Sequence, residues 1–205
     1  MQPAAPVRQR YRLLSLALIG LALLASTQAA RAEAPKPPPE TVPYVDLDRY
    51  LGTWFEIAHI PNRFQKHCRS NTTAQYQRME NQRIEVINRC IDKNGKLDAA
   101  HGVARVVDPV TNAKLKVSFV SLFGWQLFWG DYWILDLAAD YSYALVGTPD
   151  YRYGWILSRT PALPTDIRAG IDARLRASGY DPAAFHATPQ ERRPTLMGQS
   201  SPLQP

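Results

Sequence analysis

Histidine and cysteine are the side chains of this sequence best suited to metal or nucleophilic chemistry, and they are few. The four histidines are His59, His67, His101 and His186, and none belongs to an HExxH motif. No GxSxG, Walker A or GxGxxG motif occurs in a supporting context. His59, His67 and Cys68 lie close together, but their spacing fits no established zinc site. These residues therefore predict no metal site and no cofactor.

The acidic residues give no stronger sign of catalysis. Asp46, Asp48 and Glu56 are close in sequence, but acidic residues often flank strands without any catalytic role. We interpret all three as surface or structural groups. The sequence thus predicts no catalytic residue and a protein that is not an enzyme.

The N-terminus has the three parts of a secretory signal peptide. Three arginines, the last of them Arg12, precede an apolar run over 13–25, and Ala30-Arg31-Ala32 supplies a small-x-small cleavage site. The run is shorter than the ~20 residues that cross a bilayer as a helix. We predict a signal peptide over 1–32 and an exported protein; an uncleaved membrane anchor is the alternative.

The basic character of the chain belongs mostly to that segment. Of 24 Lys and Arg residues, four lie in 1–32, where there is no acid, so 20 basic and 18 acidic residues remain. A net charge of +2 gives no support to nucleic-acid binding. Export also bears on Cys68 and Cys90, because an oxidising compartment allows a disulfide, although two free buried thiols are the alternative.

The rest of the chain divides into a Pro-rich extended leader over 33–43, one domain over 44–187 and a disordered tail over 188–205. The domain is dominated by short runs of β character separated by turn signals, as in a sandwich or a barrel. We predict strands at 53–60, 72–79, 83–91, 100–107, 113–120, 131–137, 142–148 and 153–159.

One amphipathic helix follows the strands, over 166–176. Ile167, Ile171 and Leu175 recur at helical spacing and form one apolar stripe. Thr165 suits the N-cap position, and Gly179 suits the residue that ends the helix.

Three segments resemble the signature motifs of the lipocalins. Gly52-Thr53-Trp54 matches the Gly-x-Trp of the first strand, and Trp155-Ile-Leu-Ser-Arg159 matches the last signature, which ends in an arginine. Residues 132–136 and 144–147 stand where the family has its middle signature. The similarity runs in collinear order over about 44–187, and it is greatest to the branch of bacterial outer-membrane lipocalins and apolipoprotein D.

The resemblance implies an all-β fold: an eight-stranded antiparallel up-and-down barrel that holds one small ligand, with the C-terminal helix packed outside. It also implies structural roles for Gly52, Trp54 and Arg159. The guanidinium would lie across the indole at the closed end and join the first strand to the last. One departure matters, because bacterial members of this branch often carry a lipid on a cysteine just after the signal, and here the first cysteine is Cys68. We therefore expect a periplasmic or secreted protein. If it associates with the outer membrane, it does so without a lipoprotein cysteine.

In such a barrel alternate loops share one end, which we call the mouth: residues 61–71, 92–99, 121–130 and 149–152. Cys68 and Cys90 then lie near the same end of a hairpin, which favours a disulfide. They stand about three positions out of ideal register, so a bulge or the loop must absorb the difference.

The segment 119–133 is rich in aromatic residues and forms part of the mouth. It is predicted to be a lid, a patch that contacts a membrane surface through 121–130, or an extension of the flanking strands. The residues that we expect at the mouth are Arg63, Phe123, Trp125, Phe128, Trp129, Tyr151 and Arg152.

The cavity lining is expected from the inward face of the strands, and a slip of one residue would exchange the faces. The predicted lining residues are Glu56, Ala58, Tyr76, Val86, Asn88, Val117, Phe119, Ile134, Leu145, Trp155 and Leu157. Phe55 and Ile57 are expected on the outside, beneath the helix.

The resemblance implies a monomeric or homodimeric carrier of a small hydrophobic ligand in the cell envelope, most simply a fatty acid or a (lyso)phospholipid. A binder of a tetrapyrrole or another aromatic compound is an alternative. So is an enzyme that acts on a lipophilic substrate, for which a free thiol facing the cavity would be the sign.

Overall fold

Eight antiparallel strands follow one another around a closed barrel in sequence order, as predicted. In the computed structural model, which describes residues 36–123 and 125–191, each of these strands pairs with the next, and the last pairs with the first. They are β1 (Gly52–His59), β2 (Cys68–Arg78), β3 (Ile84–Asp92), β4 (Leu97–Val106), β5 (Lys114–Ser118), β8 (Gly130–Leu137), β9 (Tyr143–Gly147) and β10 (Gly154–Ser158).

Three short strands were not predicted. β6 (Val120–Leu122) and β7 (Trp125–Leu127) pair with each other as a separate hairpin within the aromatic segment. β11 (His186–Ala187) pairs with β1 on the side away from β10. It occupies the space that opens where β1 and β2 stop pairing after Phe55 and Thr73.

Two helices flank the barrel strands. α1 (Leu47–Tyr50) is a single turn that the sequence did not reveal, and the carboxylate of Asp46 caps it by accepting from the backbone N–H of Asp48 and Arg49. Short 3₁₀ turns occupy Glu80–Gln82 and Pro182–Ala184.

The predicted C-terminal helix is present as α2 (Thr165–Ala177). Its N-cap is Pro164 rather than Thr165, and no side chain caps it, because Thr165 already lies in the first turn. Gly179 has φ +83° and donates to the Arg176 carbonyl, so it ends the helix as predicted. Among the described residues, no helix is long and apolar enough to cross a membrane.

The apolar side chains form two clusters on opposite faces of the barrel wall. The inner core lies inside the barrel and includes Trp54, Ile134 and Val146. The outer core lies between the wall and α2, where Ile171 and Leu175 of the helix stripe pack on strand residues. Helix and sheet thus share one layer of buried side chains outside the cavity.

Both ends of the predicted domain are longer than expected. The Pro-rich leader is not free of packing, because Pro39 is buried and the backbone N–H of Val42 donates to the Ile134 carbonyl. The predicted tail begins at Thr188, yet Thr188 is buried and Gln190 is hydrogen-bonded to β1 and β2. The predicted signal peptide over 1–32 and the rest of the tail from 192 lie outside the described residues. From Pro37 onward, the described residues belong to one compact unit.

Candidate functional site

One end of the barrel is sealed by a cation–π pair. The guanidinium carbon of Arg159 lies 3.8 Å from the centre of the fully buried Trp54 ring. Arg159 also donates to the carbonyls of Thr53 (3.0 Å), Arg49 (2.6 Å) and Tyr50 (3.2 Å), while the Trp54 indole donates to Tyr50 at 2.8 Å. Partial burial lowers the pKa of the arginine. These contacts join the residue after β10 to β1.

Gly52 fits this arrangement for two reasons. Its φ of +94° is one that other L-residues rarely adopt, and a Cβ there would lie 3.4 Å from the Arg159 guanidinium. The backbone conformation therefore favours glycine here, and a Cβ would also lie in van der Waals contact with the guanidinium.

A cavity of about 970 Å³ occupies the barrel toward the mouth. Its walls come from the strands, and its upper part comes from loop residues of the mouth, among them Arg63, Trp129 and Arg152, and from Asp98 at the start of β4. Eight of the predicted lining residues face it: Glu56, Tyr76, Val86, Asn88, Val117, Phe119, Trp155 and Leu157. The cavity is thus bounded mainly by apolar and aromatic side chains with a few polar groups, as small-molecule sites usually are.

Three residues of the predicted lining lie elsewhere. Ala58 and Leu145 belong to the outer core beneath α2, and Ile134 is buried in the inner core below the cavity. A bulge shifts the register of β1 between Glu56 and Ala58 and leaves Ala58 on the outer face. β9 keeps its alternation, with Ala144 and Val146 in the inner core, so Leu145 between them faces outward. The predicted inward orientation of Ala58 and Leu145 is therefore wrong. Ile57 packs in the outer core, as expected.

The predicted mouth residues separate into three groups. Arg63, Phe128, Trp129 and Arg152 line the cavity. Phe123 and Trp125 belong to the β6–β7 hairpin and point into solvent instead. The predicted position of Tyr151 at the mouth is wrong. Its ring packs 5.0 Å from that of Tyr180 in the outer core, and its hydroxyl donates to the Pro37 carbonyl.

We call residues 119–129, which contain β6 and β7, the aromatic hairpin. Its side chains are far more exposed than apolar groups usually are: 92% for Phe123, 82% for Phe128 and 76% for Trp125. Trp129 at its base lies under the guanidinium of Arg105 at 4.5 Å. The hairpin therefore presents an apolar surface beside the mouth.

A disulfide joins Cys68 to Cys90 at the mouth, with the Cα atoms 5.6 Å apart. Two register shifts between β2 and β3, at Cys68/Ser70 and Ser70/Thr73, absorb the predicted mismatch. The sulfur atoms and a ring nitrogen of His67 lie within 4.8 Å of one another, as metal ligands would. Both sulfurs are bonded to each other, so neither is available as a thiolate.

The sequence did not single out an aromatic wall on one side of the cavity. The rings of Tyr153 and Trp155 stack at 6.2 Å and 14°, and Phe64 lies 5.6 Å from Tyr153. Because residues 153 and 155 are two apart at the start of β10, they share one face. Alternation therefore contained the signal for Tyr153, whereas Phe64 comes from a loop that no periodicity describes.

Glu56 places a buried carboxylate in the cavity wall. It accepts from the Gln65 amide and the Thr188 hydroxyl, both at 2.6 Å, and His59 Nδ1 lies 2.9 Å away. Gln65 in turn accepts from the Trp155 indole at 3.0 Å. The acid is therefore fully hydrogen-bonded, and it fixes the loop after β1 and the C-terminal segment against the barrel.

The ionic groups of the mouth are mostly paired. Arg152 pairs with Asp150, His67 with Asp98 at 2.8 Å, and Lys116 with Asp131 at 3.0 Å. Arg63 lies over the Phe64 ring at 5.1 Å, and no carboxylate of the described residues lies within ion-pair distance of it. Arg63 is thus the cation best placed to meet an anionic group at the mouth.

Three tyrosines meet at the inner end of the cavity, and we call them the tyrosine floor: Tyr76 and Tyr132, which line the cavity, and Tyr50, which lies behind them in the inner core. The Tyr132 hydroxyl lies 2.7 Å from that of Tyr50 and 2.9 Å from that of Tyr76. Burial raises the pKa of Tyr76 to about 12 and those of Tyr50 and Tyr132 well above the usual value of 10.0. The hydroxyls therefore keep their protons at physiological pH.

Comparison with known proteins gives a consistent result. A family model described as a Lipocalin-like domain matches residues 45–190. Temperature-induced lipocalin-1 of Arabidopsis thaliana is 37% identical over 158 residues, which cover 76% of this chain and 84% of the plant protein.

Two further relatives fall in the branch that the signature motifs indicated. The outer membrane lipoprotein Blc of Escherichia coli K12 is 37% identical over 152 residues, which cover 72% of this chain and 82% of Blc. Apolipoprotein D of Rattus norvegicus is 34% identical over 170 residues, which cover 78% of this chain and 85% of the rat protein.

Proposed function

The chain belongs to the lipocalin family, and on that basis we propose that it carries one amphipathic lipid, a fatty acid or a (lyso)phospholipid, in the cell envelope. The observation that carries the proposal is the cavity of about 970 Å³, closed by Arg159 and Trp54 at one end and reached through the mouth at the other. Its size is at the upper limit of the ~300–1,000 Å³ common for small-molecule sites. Storage, transport and membrane maintenance are all compatible with such a carrier.

Apolar burial supplies the driving force for this binding. Each methylene removed from water contributes about 0.8 kcal/mol, so an acyl chain provides ample gross free energy before the costs of association. Val86, Val117 and Leu157 offer apolar wall, and the aromatic rings add more. The wall therefore needs no special chemistry to hold a chain.

The mouth suits an anionic head group. Arg63 lines the upper cavity without a carboxylate partner among the described residues, and Arg152, paired with Asp150, lines it from the last mouth loop. A carboxylate or phosphate held there stays in contact with water, which avoids the cost of burying its charge. We therefore place the head group at the mouth and the chain below it.

The aromatic hairpin supports transfer at a membrane surface. Phe123 and Trp125 project from it into solvent, and the largely exposed Phe128 lies at the rim of the cavity, next to the opening through which a lipid would pass. Aromatic side chains favour the interfacial region of bilayers. We propose that the hairpin touches the bilayer transiently while the ligand enters or leaves, and that the protein is exported to the periplasm or beyond.

A planar aromatic ligand is the second candidate, and the stacked rings of Tyr153 and Trp155 are the observation that favours it. Flat molecules gain from stacking on such a wall. Catalysis has less support, because both cysteines of the chain are joined in the disulfide and leave no free thiol in the cavity.

The deciding experiment identifies the molecule that the protein holds when it is purified from its own host. Native mass spectrometry and solvent extraction are expected to yield a fatty acid or a phospholipid in about equal amount to the protein. An absorbance band beyond that of the protein, with a coloured extract, would instead support the aromatic ligand. If the protein is empty and titrates with neither class, the carrier function is wrong.

A further inference from the structure

Three phenol hydroxyls meet at the floor of the cavity, where a plain acyl chain would present only a methyl group. The hydroxyls of Tyr50 and Tyr76 both contact that of Tyr132, at 2.7 and 2.9 Å. All three rings are buried among apolar side chains of the inner core. Burying a polar atom among apolar side chains costs free energy unless the atom is hydrogen-bonded. The hydrogen bonds among the three hydroxyls therefore show which of their donors and acceptors are satisfied.

The trio leaves one proton unused. Each phenol has one O–H to donate, and two of the three possible contacts are hydrogen bonds. A closed ring of three would use every proton, but this chain of contacts is open between Tyr50 and Tyr76. Whichever way the two bonds run, one O–H remains to donate outside the trio.

In two of the three possible donor arrangements the unused O–H belongs to Tyr76 or Tyr132, and in the third it belongs to Tyr50. Tyr76 and Tyr132 line both the inner core and the cavity, as do the apolar residues Val86 and Leu157, whereas Tyr50 lies behind them. The two phenols are therefore the polar groups at the level where core and cavity meet. Burial raises the pKa of Tyr76 to about 12, which keeps it a donor at any physiological pH.

We propose that the tyrosine floor is a subsite for an oxygen atom at the inner end of the ligand. The class of ligand that fits is a lipid with its anionic group at the mouth and a hydroxyl or carbonyl at the far end of the chain. A ligand hydroxyl would accept from the unused phenol O–H and donate to a phenol oxygen. This inference rests on the proposed lipid-carrier function and narrows its ligand.

Matched fatty acids test the subsite. The ligands are saturated acids of 12, 14, 16 and 18 carbons and the same acids with a terminal hydroxyl, titrated by calorimetry into the full chain stripped of lipid. A dry apolar floor would bind the hydroxylated acids more weakly at every length, because the hydroxyl would lose its water partners. The tyrosine floor is expected to make the hydroxylated acid at least as tight as its parent at the length that reaches the floor.

Variants locate the effect. Tyr76→Phe/Tyr132→Phe removes both hydroxyls that face the cavity and keeps the rings, and it is expected to shift the affinity ratio about tenfold against the hydroxylated acid. Tyr132→Phe alone is the milder variant if the pair does not fold. Tyr143→Phe is the matched control, because its hydroxyl donates to Asp136 and its ring packs in the outer core. It should leave the ratio unchanged.

The outcomes separate the two claims. If the plain acids bind, and the affinity ratio of hydroxylated to plain acid is the same in wild type, Tyr76→Phe/Tyr132→Phe and Tyr132→Phe, the subsite is wrong and the carrier function stands. If neither series binds to wild type at any length, the carrier function fails and the subsite falls with it.

Discussion

The two ends of the barrel use the same residue types in opposite ways. At the closed end, Arg159 lies 3.8 Å from a fully buried Trp54 ring, and three backbone carbonyls accept from its guanidinium. At the mouth, Arg63 lies 5.1 Å from an exposed Phe64 ring. A cation–π contact is worth more when it is desolvated and its geometry is fixed. The comparison teaches that burial and backbone contacts, rather than the pairing itself, make one end a seal and leave the other open.

The largest expected effect tests the seal directly. Trp54→Ala should lower the free energy of unfolding by about 3–5 kcal/mol, because it removes a fully buried ring and the support of Arg159. Chemical denaturation measures the loss. Trp125→Ala on the aromatic hairpin is the matched control and should change stability by less than about 0.5 kcal/mol. Equal losses at the two positions would break the contrast between the ends.

The mouth has one strong constraint, which is covalent. Cys68→Ser/Cys90→Ser removes a link between residues 22 apart and should destabilise the fold by about 3 kcal/mol. The same denaturation curves measure it, and reducing agent should then affect wild type but not the variant. A loss below about 1 kcal/mol would mean that the polar contacts of Glu56 and Gln65 already hold the mouth.

Alkaline pH should lower the free energy of unfolding through the tyrosine floor. An unfolded tyrosine ionises near pH 10, whereas Tyr76 has a pKa of about 12 in the fold. The folded state therefore holds this proton longer, and the stabilisation present below pH 10 is lost as pH rises toward 12. Unfolding free energies between pH 8 and 12 should fall by about 2–3 kcal/mol through this group. A Tyr76→Phe variant with the same alkaline decline would show that other groups cause it.

The smallest effect on stability is expected at the aromatic hairpin. Phe123→Ser/Trp125→Ser should change the unfolding free energy by less than about 0.5 kcal/mol, yet reduce sedimentation of the protein with phosphatidylglycerol vesicles several-fold. Val110→Ser, which alters an exposed apolar residue in the turn before β5, is the control and should leave vesicle binding unchanged. If both variants bind vesicles like wild type, the hairpin is not the membrane contact.

Sequence patterns predicted the strands and α2 well, because alternation and helical spacing are local properties. They failed at Ala58, where a bulge in β1 exchanged the faces of the strand, and at Leu145, where the regular alternation of β9 was assigned to the wrong face. A bulge leaves little trace in the local composition. The sequence therefore does not show that the residues after it have moved to the opposite face of the strand.

The tyrosine floor was missed for a different reason. Tyr50, Tyr76 and Tyr132 come from α1, β2 and β8, and only the closed barrel brings them together. Tyr76 was expected in the cavity by its parity, and Tyr132 shares the face of Ile134 on its predicted strand, but Tyr50 comes from a helix that the sequence did not reveal. The packing of the Pro-rich leader on Ile134 is likewise a long-range contact that composition cannot reveal.

The position of β11 has a consequence for the order of assembly. Both neighbours of the second half of β1, β10 and β11, lie more than 90 residues further along the chain, and Gln190 bridges the carbonyls of Glu56 and Thr72 across the gap. The strand made first thus keeps an unpaired edge until the final described residues have left the ribosome. Ring closure is therefore a late event, because it joins the first strand of the domain to segments near its C-terminal end.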